Sequence, residues 1–496
     1  MYLSDLFSAK KILALLLIAF LSFIYTDYLT GNVAGIILSY GTLALLILLT
    51  LINFKRGVLL YIYIALITPQ FSRDLVQQVV DSDNTEVASF YSFHSVSFLG
   101  FGLSVLMIIF LGILALYRIF SLHDRKIPKY LYLFIGFIVI LFLLSLLGTF
   151  ISSLRGNEVD IRSIFSDMRI YIVWICAILV VTSLHNYTNI KSDIISVIFL
   201  AVITIGFRTV IFLLHDYFTG SIKLEFSTQP YIAYPILLAA IIAIPKFSLR
   251  VLLVALSMLA AISMKRADLA FVGLSVIFLL LLPFFIMRSD LLKRGVSAVF
   301  ILLGGVFALV SVLFIVAPDS LNFLLYKLNF FTNLSAGNAD TSGSAMVRWY
   351  EFINITSYGI DHVTPIIFGN GLGGYFDFSY TGFPIDVGVS DYSFQEIISG
   401  KFQRPHTFIN YLLLKGGVVL IIAYLSMIFM AIKLSFTSLK LCYKDIAANQ
   451  EITLEMFLYL FMIFYSIFCL NMFWQPMHAF IFMVILSITS ISKRTV

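Results

Sequence analysis

The sequence predicts an all-α polytopic membrane protein: about fourteen transmembrane helices and one large, partly helical loop on the non-cytoplasmic side. Three observations lead there. Of 496 residues, 61% are hydrophobic and only 12% charged, where a soluble domain is about a quarter charged. The apolar residues come in runs of up to about 20, the length that crosses a bilayer. The mean hydropathy of +1.02 would leave a soluble protein without a polar coat, so lipid is the solvent for most of the chain.

The expected spans are 12–26, 32–53, 57–71, 95–117, 131–152, 169–184, 194–214, 230–244, 250–264, 267–287, 296–317, 408–432, 453–472 and 478–491. Lys265-Arg266 divides the ninth from the tenth. Lys10 and Lys11 precede an apolar run with no small-residue cleavage site after it, which reads as an uncleaved first span. The chain then divides into helices over 1–317, a loop over 318–407 and helices over 408–496.

Charge sets the orientation. With the N-terminus in the cytoplasm and spans alternating, 19 of the 32 Lys and Arg residues fall on inside segments, among them Lys55, Arg56, Arg118, Lys191 and Lys433. The positive-inside rule therefore favours an even number of spans with both termini cytoplasmic. The net charge of +6 is spread in small groups and forms no basic domain, which argues against nucleic acid as a partner. Cys176 and Cys469 lie in apolar runs and Cys442 in a basic loop, so neither a disulfide framework nor a Cys-based metal site is supported. No zinc, Walker or nucleophile-elbow motif is present, and no metal or cofactor is expected.

The cations that depart from this pattern are the candidates for chemistry. Arg208 lies within the seventh span, where insertion costs about 2.5–3.5 kcal/mol. It reads as an anion site reached from outside, or as a structural cation. Arg169 opens the sixth span just after Asp167, and Lys265 and Arg266 open the tenth. Each alone reads as an interfacial anchor; together with Arg208 they place guanidinium groups at the outer leaflet, where Arg suits a buried diphosphate. In the loop, Arg348 stands in Ser344-Ala345-Met346-Val347-Arg348-Trp349-Tyr350-Glu351, its ordinary reading being a helix-surface pair with Glu351. Arg404 and His406 flank Pro405 at the mouth of the twelfth span. Pro405 suits a first helical turn, and a helix N-terminus favours an anion and a neutral His able to accept a proton. Gly369 to Gly374 reads as a tight turn, since no βαβ unit surrounds it.

Three segments in order carry a resemblance: Ser344 to Trp349; Ile367-Phe368-Gly369-Asn370-Gly371-Leu372-Gly373; and His406-Thr407-Phe408-Ile409-Asn410-Tyr411-Leu412 with Gly416-Gly417. This set resembles the O-antigen polymerase and O-antigen ligase superfamily. Ser263 to Ala267 resembles that family's Ser-Arg-Gly element, with Met264 and Lys265 inserted and Ala267 in place of Gly. Arg348 followed by Gly359 resembles the Arg-x10-Gly pattern of polymerase loops, in a single copy. The resemblance implies a GT-C-type glycosyltransferase of the bacterial inner membrane with a periplasmic active site. Its donor would be a glycan on undecaprenyl diphosphate, and a chain-length regulator would be a further partner. A polymerase passes the glycan to a lipid-linked repeat unit; a ligase passes it to lipid A-core. His406, Arg348 and Arg404 are then the expected catalytic residues, and Arg208, Arg266, Arg169 and Lys265 the expected diphosphate ligands, with no metal. A lipid-linked oligosaccharide flippase and a purely structural membrane protein are the readings of other classes. A flippase commonly shows two similar halves, which this chain does not.

Overall fold

The structure is a computed structural model. It describes residues 9–29, 32–68, 92–98, 101–121, 129–156, 161–184, 189–219, 230–243, 343–383, 394–444, 450–468 and 476–491, with Tyr187, Tyr392 and scattered positions between 251 and 314. Within these residues the chain is almost wholly helical. In order, the helices are α1 (Ala9–Ile24), α2 (Val33–Ile52), α3 (Phe54–Ile67), α4 (Leu103–Ser121), α5 (Lys129–Leu154), α6 (Ile161–Leu184), α7 (Ile190–Thr219) and α8 (Pro230–Ala243). The loop contributes α9 (Gly343–His362), α10 (Thr364–Phe368) and α11 (Phe394–Ser399); α12 (Phe408–Lys444), α13 (Gln450–Phe468) and α14 (Pro476–Ile491) follow.

The protein is thus a membrane-embedded all-α protein. Six helices, α2, α4, α5, α6, α7 and α12, are long and apolar enough to cross a bilayer, and α1, α13 and α14 hold shorter apolar stretches. Each expected span outside 250–317 coincides with a helix, and the ends agree to within about five residues except at the start of α4 (Leu103), the start of α6 (Ile161) and the end of α12, which runs on to Lys444. The expected spans 250–264, 267–287 and 296–317 lie outside the described residues apart from scattered positions, so the count of fourteen is not established. At 14 residues, α3 is about 21 Å long, short of the ~30 Å hydrocarbon core.

Local chemistry explains the boundaries. Asn32 and Asn53 cap α2 and α3, their side chains accepting from Ala34 N at 2.9 Å and Arg56 N at 3.0 Å. Hydroxyls within the spans turn back on their own helix: Ser145, Thr182, Thr204 and Thr209 each donate to the carbonyl four residues earlier, which removes a bare donor from lipid. Outward faces remain apolar, as at Leu45, Leu48 and Leu51 of α2 and Ile113, Leu116 and Phe120 of α4. The centre of the bundle is the converse: Met456 to Tyr465 of α13 and Ala479 to Leu486 of α14 are buried on every side, as expected of helices wrapped by others. Among the described helices, α13 packs on α8 and α12, α6 on α4 and α14, and α7 on α1 and α3.

Candidate active site

The loop does not stay outside the bundle. Helix α10 and the glycine-rich turn after it pack against α12 and α5. There α12 is broken: Gly417 takes φ 64° and ψ −164° inside an otherwise helical run. A Cβ at Gly417 would lie 2.2 Å from the Ile367 carbonyl oxygen, and one at Gly371 (φ 80°) would lie 2.0 Å from Thr149 N. Only glycine permits both the positive φ and the contact. The Leu414 carbonyl, one turn before the break, accepts from Asn370 N at 2.6 Å. Leu372 N donates to Thr149 Oγ1 at 2.7 Å and Gly373 N to Asp167 Oδ2 at 2.7 Å. The expected turn is present, but as a wedge between three helices rather than an exposed corner.

Behind the wedge lies a buried ion pair. Asp167 of α6 and Lys415 of α12 meet at 2.7 Å, with side-chain exposures of 4% and 0%. Tyr411 donates to the other Asp167 oxygen at 2.9 Å, and Lys415 donates to the Gly374 carbonyl at 2.6 Å. Both charges are therefore paired and further hydrogen-bonded, which is what burial of a charge demands. Sequence reading passed over Lys415, although a lysine inside an apolar span is itself a signal; Asp167 was noted only as a neighbour of Arg169.

Nearer the surface stands a second group. Glu351 of α9 is fully buried; its carboxylate accepts from His406 N at 3.0 and 3.1 Å, from His406 Nδ1 and from the Tyr392 hydroxyl. The expected surface pair between Arg348 and Glu351 is absent: the Glu351 side chain is buried and bonded to His406 and Tyr392, while Arg348 is exposed. An ionised Glu351 only accepts, which places the proton on Nδ1 and leaves Nε2 as an acceptor. The His406 side chain is 22% exposed, so the ring is both anchored and reachable. Helix α12 begins at Phe408, with Thr407 capping it by accepting from Asn410 N at 3.2 Å. Pro405 therefore precedes the cap rather than filling the first turn. Phe376, Phe378, Tyr392 and Phe402 form a small core that holds this part of the loop together. At its edge the Tyr380 hydroxyl donates to Asp361 at 2.6 Å, and that carboxylate pushes the phenol up to about 12.

Three of the expected cations border the His406 group. Arg404 is exposed and donates to Ser166 of α6. Arg169, one turn along α6, is half-buried and within electrostatic range of Arg404 and Asp167. Arg348 is exposed, and its backbone carbonyl accepts from Asn410 Nδ2 at 3.2 Å, which ties α9 to the start of α12. Among the described residues no carboxylate lies within ion-pair distance of Arg348, Arg404 or Arg169.

Arg208 is elsewhere. It is 2% exposed and donates to Ser22 Oγ at 2.8 Å and to the Ile67 carbonyl at 2.5 Å. Ile67 is the last residue of α3, so Arg208 satisfies one of that helix's terminal carbonyls and sits at the negative end of its dipole. Its described contacts are with α1 and α3 and not with the His406 group. Lys265 and Arg266 lie outside the described residues. Glu351 and Tyr392 were not found from sequence; their roles depend on contacts 55 and 41 positions apart, which no local pattern marks. Comparison with protein-family models, curated proteins and solved structures found no match for this chain.

Proposed function

We propose that this protein is a membrane glycosyltransferase of the O-antigen polymerase kind, acting at the outer face of the bacterial inner membrane on a glycan carried by undecaprenyl diphosphate. The observation that carries the reading is the Glu351–His406 contact at the mouth of α12 with Arg348, Arg404 and Arg169 around it. Glu351 holds the imidazole so that Nε2 takes the proton of an acceptor hydroxyl. The hydroxyl oxygen bonds to the anomeric carbon as the bond from that carbon to the diphosphate oxygen breaks. The diphosphate leaves with the electron pair, and the arginines offset its charge. Such preorganised donors are typically worth about 2.7–4 kcal/mol each. A single in-line displacement inverts the anomeric centre. Arg208 is left out of this scheme, because its Nη1 donates to α1 and α3 and its described contacts do not reach the His406 group.

The test is a transfer assay with purified protein in lipid vesicles and a repeat unit on undecaprenyl diphosphate. Elongation by the native chain, reduced about 10²–10⁴-fold in His406→Ala with unchanged thermal stability, is expected. Growth only on lipid A-core would make it a ligase, and movement across the bilayer without bond formation a flippase. Undiminished elongation by the variant would remove His406 from the chemistry.

A further inference from the structure

Helix α9 has its polarity reversed. Its buried side holds Val347, Glu351, Asn354 and Ile355, two of them polar. Its exposed side holds Trp349, Phe352 and Ile360, followed past the helix end by Val363 and Ile367; these five are between 37% and 66% exposed. On the helix they recur at about the 3.6-residue repeat, and Trp349 stacks on Phe352 with ring centres 5.5 Å apart. Thr356, the polar residue on the same stripe, turns its hydroxyl onto the Phe352 carbonyl at 2.6 Å. A helix in water shows the opposite pattern.

Two further observations say what covers this stripe. The wedge that continues from α9 and α10 reaches Thr149 of α5, roughly 9 Å along the helix from Arg155 at its charged end. That depth lies within the apolar part of the span. In addition, the backbone N–H groups of Gly369, Asn370, Leu372, Gly373 and Gly374 all have partners. Irregular backbone at membrane depth is tolerated only when satisfied in this way. Arg348, Asp361 and His362 leave from the flanks of α9 rather than from the stripe, as on a helix that lies along an interface.

We propose that α9 and α10 are an interfacial, partly re-entrant element whose Trp349–Phe352–Ile360–Val363–Ile367 stripe is embedded in the acyl chains of the bilayer. The loop is then anchored in lipid on the flank where Arg348 emerges. This does not rest on the transferase reading, since an inactive protein would show it equally.

The test uses the full chain in phosphatidylcholine vesicles, with Trp174→Phe and Trp474→Phe leaving Trp349 as the fluorophore. Acyl chains brominated near the headgroup are expected to remove most of its emission, and aqueous iodide little. Quenching by iodide without quenching by bromolipid overturns the proposal, as does quenching by neither, the behaviour of a ring covered by protein. If the double variant does not fold, Trp349→Phe in the otherwise native chain gives the same answer by difference. The bromolipid-quenchable part of the emission should fall, and an unchanged quenchable part overturns the proposal.

Discussion

The two ends of the bundle handle charge differently. At the end where α3 and α7 begin, cations meet partners at the surface. Lys55 pairs with Asp193 at 2.5 Å, both partly exposed. Lys191 pairs with Glu455 at 3.5 Å. Arg118 donates to the Tyr187 hydroxyl at 2.8 Å and lies over the Phe54 ring, 5.1 Å from its centre. At the other end charge is sorted by depth. Asp167 and Lys415 are fully buried and neutralise each other, Glu351 is buried against His406, and Arg348 and Arg404 reach outward with no carboxylate among the described residues. The first arrangement is that of anchors, each worth little. The second fixes a neutralised frame below and, among the described residues, sets exposed arginines without a carboxylate partner above it.

That contrast can be broken by substitution, and the largest effect should come from the deepest pair. Lys415→Met leaves Asp167 buried without its cation and is expected to cost about 3–5 kcal/mol, read as a fall in thermal stability in detergent. Adding Asp167→Leu should recover part of this; no recovery would mean that the two charges act separately. Glu351→Gln keeps the volume but disrupts the acceptor shared by His406 and Tyr392. It should cost about 1–3 kcal/mol and shift the pH profile of transfer to the acid side, as His406 loses an anion that favours its protonated form. An unchanged profile would separate Glu351 from the chemistry. Lys55→Ala, at the opposite end, should change stability by no more than about 1 kcal/mol. A loss there as large as that of Lys415→Met would erase the distinction between the ends.

Hydropathy made the helices legible, because an apolar run in lipid has few alternatives to an α-helix. The same uniformity hid the lateral arrangement. Every span looks apolar all round, and nothing in the run around Lys415 says that its partner is Asp167. The position of His406 at the start of α12 could be read, since Arg404, Pro405 and Thr407 punctuate the chain there. The partner of His406 could not be read, because Glu351 sits in an ordinary-looking amphipathic helix and the i,i+3 rule points it toward Arg348. Arg208 was conspicuous as an arginine in a span, yet the structure gives it a local task at the end of α3. The Gly416-Gly417 pair entered the sequence reading only as part of a resemblance; that α12 breaks there, and that residues 40 to 50 positions earlier fill the break, could not be inferred from the pair itself.

The break at Gly417 also bears on how the molecule is assembled. Each span can enter the bilayer as it is synthesised, since its backbone is satisfied within itself. The gap in α12 cannot be closed by α12 alone: it needs Asn370, and the same turn must reach Thr149, 223 positions from Leu372. The turn is made after α5 and before α12, so it has no complete seat until the later helix is in place. The turn can therefore be seated in full only once α12 stands beside α5, which ties the completion of the site to a late helix. A chain interrupted before α12 would hold most of its helices and have no finished site.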